Sequence, residues 1–523
     1  VTGDRPLRSA GFQVGRFVVR HFDLCALTVV AVMACNVFLD LGTSKVNDYD
    51  EARYGVSAFE MQQHRSFVVT TYAGHKELWA LKPPFGYWLM ALSFSLFGGS
   101  ALAMRVPSAL CSVAAVAVTL YFMRRRFNRR LAIVAGLVLA TTFGYISHHG
   151  ARSGDMDACL TLILLLAAVG LPAVARSPWR LVPLAGALAC GFLLKSFAIA
   201  PMILVGIAYL LWTGDWRRLR PAPSLAAMAL FLAVVGLWAA ARWQADGSAD
   251  FLLRMFREDV VQRSTSIVDK STSSPLGYAT ALFDRFAPWP PVMIAAAALA
   301  LLSRGRGGTP SQPSGRRRRT MVLLALWIAI PLAFISAVRT QHHWYLDPIY
   351  PALAMAAAVG ALLLVRRAPE RFRTAAFLGL VVLPLALCEA RVVARVVLRD
   401  PMSADQRFLG SLGTKSGGVC RVVASTFKLA YAERFLLQVN DGFDVVEPGA
   451  ALRLPEDACV LSRGTLTTAA GGVGGAAGAG SGGGAVLAAN GRYTLEWPVD
   501  PVRRQPAAPG GSFQTSTQGR SPR

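Results

Sequence analysis

Apolar stretches recur along most of this chain, each roughly 15 to 22 residues long, close to the about 20 apolar residues that one helix needs to cross a bilayer core. Runs that are apolar on every side have no use in a soluble domain, where a surface helix keeps a polar face. The sequence therefore specifies a polytopic α-helical membrane protein, despite a length of 523 residues that would otherwise suggest several soluble domains. The formal net charge is +24. The basic residues stand in short bursts between apolar runs: Arg16/Arg20, Arg124 to Arg130, Arg176/Arg180, Arg217 to Arg220, Arg304 to Arg319 and Arg366 to Arg373. Charge placed this way orients membrane helices by the positive-inside rule and argues against nucleic-acid binding.

That rule threads the chain. Residues 1–21 are expected in the cytoplasm and 22–41 form a first span, read as a retained anchor because it lacks a small-residue cleavage site. A long outer loop follows, about 42–103. Within it, residues 84–98 are apolar but short and aromatic, and read as an interfacial or re-entrant helix, since a full span there would put the arginines of 124–130 outside. Further spans are expected near 104–122, 131–147, 158–175, 181–194, 198–213, 222–243, 287–303, 320–337, 345–365 and 374–394. That makes about eleven spans, or thirteen with one more pair of helices. The outer segments are then 42–103, 148–157, the turn near Lys195, 244–286, 338–344 and everything after 395.

Residues 1–394 thus form the membrane domain and 395–470 a small extracytoplasmic α/β domain. In the latter VCRVVAS and FDVVEP alternate like strands, and FKLAYAERFLLQ has helical spacing. Residues 471–484 read as a Gly-rich linker, VLAANGRYTLEW as a hairpin around an Asn-Gly turn, and the end of the chain as a disordered tail. Cys420 and Cys459 fall in the 395–470 segment, where either a disulfide or two free thiols fits; the other six cysteines lie in or beside apolar runs and read as small packing residues. The Gly-rich GGVGGAAGAGSGGG is no dinucleotide loop, because no strand leads into it and no helix follows.

The first outer loop carries the chemistry. It opens NDYDEARYG, with Asp48, Asp50 and Glu51 followed by Arg53 and Tyr54. On a helix Asp50 and Arg53 share a face. Such acids either face a reaction at the membrane surface or simply complement a helix dipole. Lys82 precedes two prolines that hold it in extended chain, where it either receives a lipid phosphate or snorkels at the interface.

DEARY, then KPP-x-x-YWL-x-ALSF-x-LFG and R-x-PSAL, resembles the aminoarabinose lipid A transferases, which stand with the protein O-mannosyltransferases in the GT-C class of membrane glycosyltransferases. The resemblance runs on through GARSGDMDACLTLILLL, GFLLKS, FREDVVQRS and HHWYLDPIYPALAM, over roughly residues 20–365. It implies a GT-C architecture and transfer of a sugar from a polyprenyl-phosphate donor to a cell-envelope acceptor (lipid A, a glycan or a protein) on the non-cytoplasmic face of a bacterial inner membrane, with the C-terminal domain outside. The alternative is a polytopic lipid or sugar transporter, against which stands the lack of an internal repeat. The resemblance places Asp50 and Asp157 at the catalytic acidic positions and Arg53, Lys82, Arg263 and Tyr345 at the donor phosphate. Glu51, Tyr54, Asp155, Lys195 and Glu258 are supporting candidates, with Ser196 after Lys195 where the family usually has Gly. Two positions associated with a bound zinc hold Leu81 and Val260 instead, so no metal is assigned; a divalent ion through the adjacent His342 and His343 has little support.

Overall fold

The computed structural model describes residues 16–77, 81–147, 149–267, 274, 276–304, 315–398, 401–448, 458–463 and 485–497. Residues 471–484 and the tail after 501 lie outside them. The chain divides into two compact units, Val1–Ser44 with Ser57–Pro401, and Lys45–Val56 with Met402–Arg523.

The larger unit is helical and multi-pass. Among the described residues seven helices are long and apolar enough to cross a membrane, or eight if the bent pair Gly277–Arg285 and Trp289–Ser303 is one span. Phe22–Phe38 and Phe85–Phe97 are shorter apolar helices. The second is held in a turn of chain by Trp88, whose indole nitrogen donates to the Phe67 carbonyl at 2.7 Å. Caps set the helix starts: Ser100 accepts from the Ala103 amide ahead of Ala101–Arg126, and Asn128 from the Leu131 amide ahead of Arg129–Ala140. The run expected at 131–147 does not continue as one helix. It breaks after Ala140, where the Thr141 and Thr142 hydroxyls turn back onto the Leu137 and Val138 carbonyls, and a single turn, Phe143–Ile146, follows. The run expected at 287–303 likewise belongs to a pair of helices bent by 107°.

Buried polar ties fix the loops at one end of these helices. Arg105 is buried and donates to the Leu41 carbonyl and the Ser44 hydroxyl, each at 2.7 Å. Arg152 donates to the Asn36 carbonyl at 2.9 Å, pinning the loop before Asp157 to the end of the Phe22–Phe38 helix. Away from that end, Arg319 and Arg218 converge on buried Asp215 at 2.9 and 3.9 Å. From Arg319 the helix Gly315–Ala337 runs toward the turn His343–Ile349, a rise of roughly 30 Å that matches the thickness of a bilayer core. The basic bursts and the polar loops thus occupy opposite ends of a membrane-length helix.

The smaller unit contains a five-stranded sheet, in spatial order Asp444–Val446, Val422–Ser425, Ala458–Arg463, Tyr493–Trp497, Ala485–Ala489. The first three strands are parallel and the last two pair antiparallel. Cys420 and Cys459 form a disulfide with Cα atoms 5.7 Å apart. Its core includes Glu433, which accepts from Tyr493 Oη at 2.5 Å and Arg463 at 2.7 Å.

Candidate active site

Asp157 begins the helix Asp157–Val174, whose remaining residues are apolar or small. Lys195 ends the helix Leu181–Lys195, which packs beside it. A carboxylate at a helix N-terminus and an ammonium at a helix C-terminus each complement the local dipole, and here they also meet: Lys195 Nζ lies 2.5 Å from Asp157 Oδ1, with both side chains largely buried.

The next residue, Ser196, has φ +46°, a left-handed conformation that costs a non-glycine residue roughly 1–2 kcal/mol. Its hydroxyl donates to Asp259 Oδ2 at 2.5 Å. The same carboxylate receives Lys82 Nζ at 2.9 and 3.0 Å, and Arg263 Nε approaches it at 3.6 Å. Arg263 also donates to Tyr345 Oη at 2.8 Å, and Lys195 Nζ lies 6.0 Å from the centre of the Tyr345 ring. Lys82, Lys195, Asp157, Asp259, Arg263 and Tyr345 therefore form one connected group drawn from five separate stretches of sequence. Its three cations face two carboxylates, an excess of positive charge suited to a phosphate.

Burial alone raises the Asp259 carboxyl, but the Lys82 charge, the hydrogen bonds from Ser196 and Lys82, and the Arg263 charge outweigh it and hold the group below its ordinary value. It stays ionised at neutral pH. Asp259 stands on the wide turn Arg257–Gln262, which has π-helical hydrogen bonding, and this places it one helical turn before Arg263. Sequence reasoning selected its neighbour Glu258 instead. The Glu258 side chain makes no hydrogen bond or ion pair among the described residues; the acid that meets Lys82 is Asp259. Sequence reasoning also noted Ser196 only as a departure from Gly, without a partner for its hydroxyl. The Asp259/Arg263 spacing of four residues was the available signal.

Ser196 offers a direct check. Ser196→Ala keeps the strained conformation and loses the hydrogen bond, whereas Ser196→Gly loses both. Thermal unfolding of the full chain is expected to rank alanine below glycine, by about 1 kcal/mol.

Asp155 has a different environment. Its Oδ2 accepts from Ser153 at 2.5 Å and pairs with His149 Nδ1 at 2.8 Å. His149 stacks on Trp344 at 3.8 Å, and Trp344 stacks on His342 at 4.2 Å. Burial, the Arg263 charge and then His149 and Lys195 push His342 down to about 4, so at neutral pH it is an uncharged ring against the edge of Tyr345.

In the smaller unit Asp50 and Glu51 open the helix Asp50–Gln63. Glu51 is buried and serves the helix start, its Oε2 accepting from the Asn47 amide at 2.9 Å and side chain at 2.8 Å. Asp48 accepts from the Ala432 amide at 2.8 Å. Arg53 lies 5.5 Å from the Tyr431 ring, and Tyr54 is buried. Asp50 is half-buried.

The sequence profile of the dolichyl-phosphate-mannose-protein mannosyltransferases matches residues 81–239, which include Lys82, Asp157 and Lys195. An undecaprenyl phosphate-alpha-4-amino-4-deoxy-L-arabinose arabinosyl transferase of Pseudomonas aeruginosa is 28% identical over 367 residues, 69% of this chain and 63% of the relative. The chain is similar in sequence to the aminoarabinose transferases and, over residues 81–239, to the protein O-mannosyltransferases. A second such transferase, from Pseudomonas fluorescens, is 26% identical and covers 77% of this chain and 67% of its own length. The fold is that of a GT-C protein: ArnT from Cupriavidus metallidurans, in a crystal structure bound to undecaprenyl phosphate, superposes with a TM-score of 0.64 at 18% identity over 90% of this chain and 97% of that one. The oligosaccharyltransferase of Archaeoglobus fulgidus gives 0.50 at 11% identity over 82% and 65%. The chain spans about 63% of the length of the Pseudomonas aeruginosa relative.

Against this family, the two positions associated with zinc read differently. Leu81 packs in an apolar cluster with Leu193, Trp238, Phe251 and Met255, and Val260 offers no donor atom. These side chains do not fit a zinc held through those two positions.

Proposed function

We propose that this chain transfers a sugar from a polyprenyl-phosphate donor to a cell-envelope acceptor on the non-cytoplasmic face of a bacterial inner membrane. The observation that carries the reading is the convergence of Lys82, Lys195 and Arg263 on two carboxylates, with Tyr345 held by Arg263, at one end of membrane-length helices. A lipid phosphate needs that placement: its chain lies among apolar helices while its headgroup meets fixed cations. The leaving group is a phosphate monoester, so developing negative charge must be neutralised as the glycosidic bond breaks. Lys82 and Arg263 supply that charge, Tyr345 adds a hydroxyl, and Arg53 is a further candidate for the phosphate. Asp157, held by Lys195, is the second proposed catalytic acid.

Asp50 is the proposed base, taking a proton from an acceptor hydroxyl as the acceptor attacks the anomeric carbon. For an acceptor that is already an anion, no base is needed and Asp50 orients it. Lipid A, another envelope glycan and a protein hydroxyl all meet these requirements. The disulfide Cys420–Cys459 supports an extracytoplasmic place for residues 402–463, since such bonds persist in oxidising compartments.

The test is transfer in proteoliposomes, with undecaprenyl phosphate-linked sugar as donor and an envelope extract as acceptor. Asp50→Asn is expected to lower turnover by about 100-fold while Glu51→Ala chiefly lowers the unfolding temperature. Movement of the donor across the bilayer without transfer would identify a transporter instead. Full turnover in Asp50→Asn would remove Asp50 from the mechanism.

A further inference from the structure

One buried carboxylate is not used by the phosphate group or by the Asp157–Lys195 pair. Asp347 lies in the turn His343–Ile349, is 1% exposed, and its Oδ2 has no hydrogen-bond partner among the described residues. One turn further, Tyr350 is fully buried and its hydroxyl is equally without a partner. That hydroxyl packs against Gly144, where a Cβ would lie 2.0 Å from Tyr350 Oη. Charged groups face Asp347 from several elements: Lys195 and Arg285 as cations, Asp157 and Asp155 as carboxylates. Tyr350 faces Arg285 and Asp284 as well as Asp347, and its ring lies 6.4 Å from that of Tyr145.

An acceptor oxygen and a hydroxyl, buried three residues apart with no partners, are costly unless something completes them. The position calls for a ligand that both donates and accepts hydrogen bonds. A sugar ring suits it, since each ring hydroxyl both donates and accepts. Asp347 stands two residues after Tyr345 in the same turn, and Lys195 Nζ lies 6.0 Å from the centre of the Tyr345 ring, so the position adjoins the phosphate group.

We propose that Asp347 and Tyr350 form the subsite for the sugar ring of the donor, with a ring hydroxyl or amino hydrogen donated to Asp347 Oδ2 and a hydrogen bond exchanged with Tyr350 Oη. The proposal rests on the polyprenyl-phosphate reading above. A cationic amino group gains most there, because charge-assisted hydrogen bonds are roughly twice as strong as neutral ones.

The test uses the full chain in nanodiscs and three probes: undecaprenyl phosphate, undecaprenyl phosphate-linked mannose and undecaprenyl phosphate-linked 4-amino-4-deoxy-L-arabinose. Asp347→Asn is expected to weaken the two sugar-bearing lipids by roughly 10- to 100-fold, the amino sugar more, and to leave the bare lipid phosphate within about twofold. Tyr350→Phe, which removes only an oxygen, is expected to act in the same direction with a smaller effect, and reports on the subsite even if Asp347→Asn unfolds. Unchanged binding of the sugar-bearing lipids in both variants overturns the subsite. So does equal weakening of all three probes, which marks a structural role. A wild-type chain that binds the bare lipid but prefers neither sugar removes the subsite and leaves the phosphate reading standing; one that binds none of the three overturns both.

Discussion

Replacing Lys82 with alanine is expected to cut transfer by about 10²- to 10³-fold, the range seen when one preorganised donor to a developing oxyanion is removed, and adding Asp259→Asn to that variant is expected to restore part of the loss. In the intact chain Lys82 Nζ spans both Asp259 oxygens at 2.9 and 3.0 Å. Without the ammonium, Asp259 keeps, among the described residues, the Ser196 hydroxyl and the more distant Arg263, and becomes a nearly uncompensated carboxylate beside the incoming phosphate. The single variant therefore loses an attraction and uncovers a repulsion. Asparagine at 259 removes the repulsion while preserving shape and the contact with Ser196. The effects of the two substitutions should be strongly non-additive, as for residues sharing one network. Single-turnover transfer rates for the four members of the cycle measure this. A double variant no better than Lys82→Ala would show that Asp259 acts by holding the loop in place and not through its charge.

Much of this arrangement was legible in the sequence, and what was missed has identifiable physical causes. Apolar run length gave the helical membrane architecture, because a bilayer demands it. Lys82, Asp157, Lys195, Arg263 and Tyr345 were singled out through the resemblance to the aminoarabinose transferases, and the structure brings them together. Asp259 was not, because FREDVVQRS offers two adjacent acids and only the widened turn Arg257–Gln262 decides which faces Lys82. The interruption after Ala140 was invisible for a similar reason: hydropathy continues through Thr141 and Thr142, whose hydroxyls bond to the preceding helix turn. The cysteines gave two alternatives from sequence. The parallel pairing of Val422–Ser425 with Ala458–Arg463, which sets Val423 opposite Cys459, brings Cys420 within bonding reach across a separation of 39 residues.

Lys195→Met is expected to destabilise the membrane unit by about 3–5 kcal/mol, the cost of stripping the partner from a buried charge. Asp157 is 5% exposed and Lys195 17%, and the two are in direct contact. Methionine fills the space of the lysine stem, so packing changes little and the unpaired carboxylate dominates the loss. Changing Asp157 to asparagine in the same chain removes that charge and should restore most of the stability. It should not restore transfer, because the restored protein carries neither the acid nor the cation at this end of the helices. Stability and activity thus separate: the double variant unfolds near the wild-type temperature in detergent and remains inactive with a polyprenyl-phosphate sugar. Recovery of both together would mean that the pair is only a structural tie. Wild-type unfolding of Lys195→Met alone would mean that Asp157 has another compensating partner, and the electrostatic account of this end of the site would have to be rebuilt around that group.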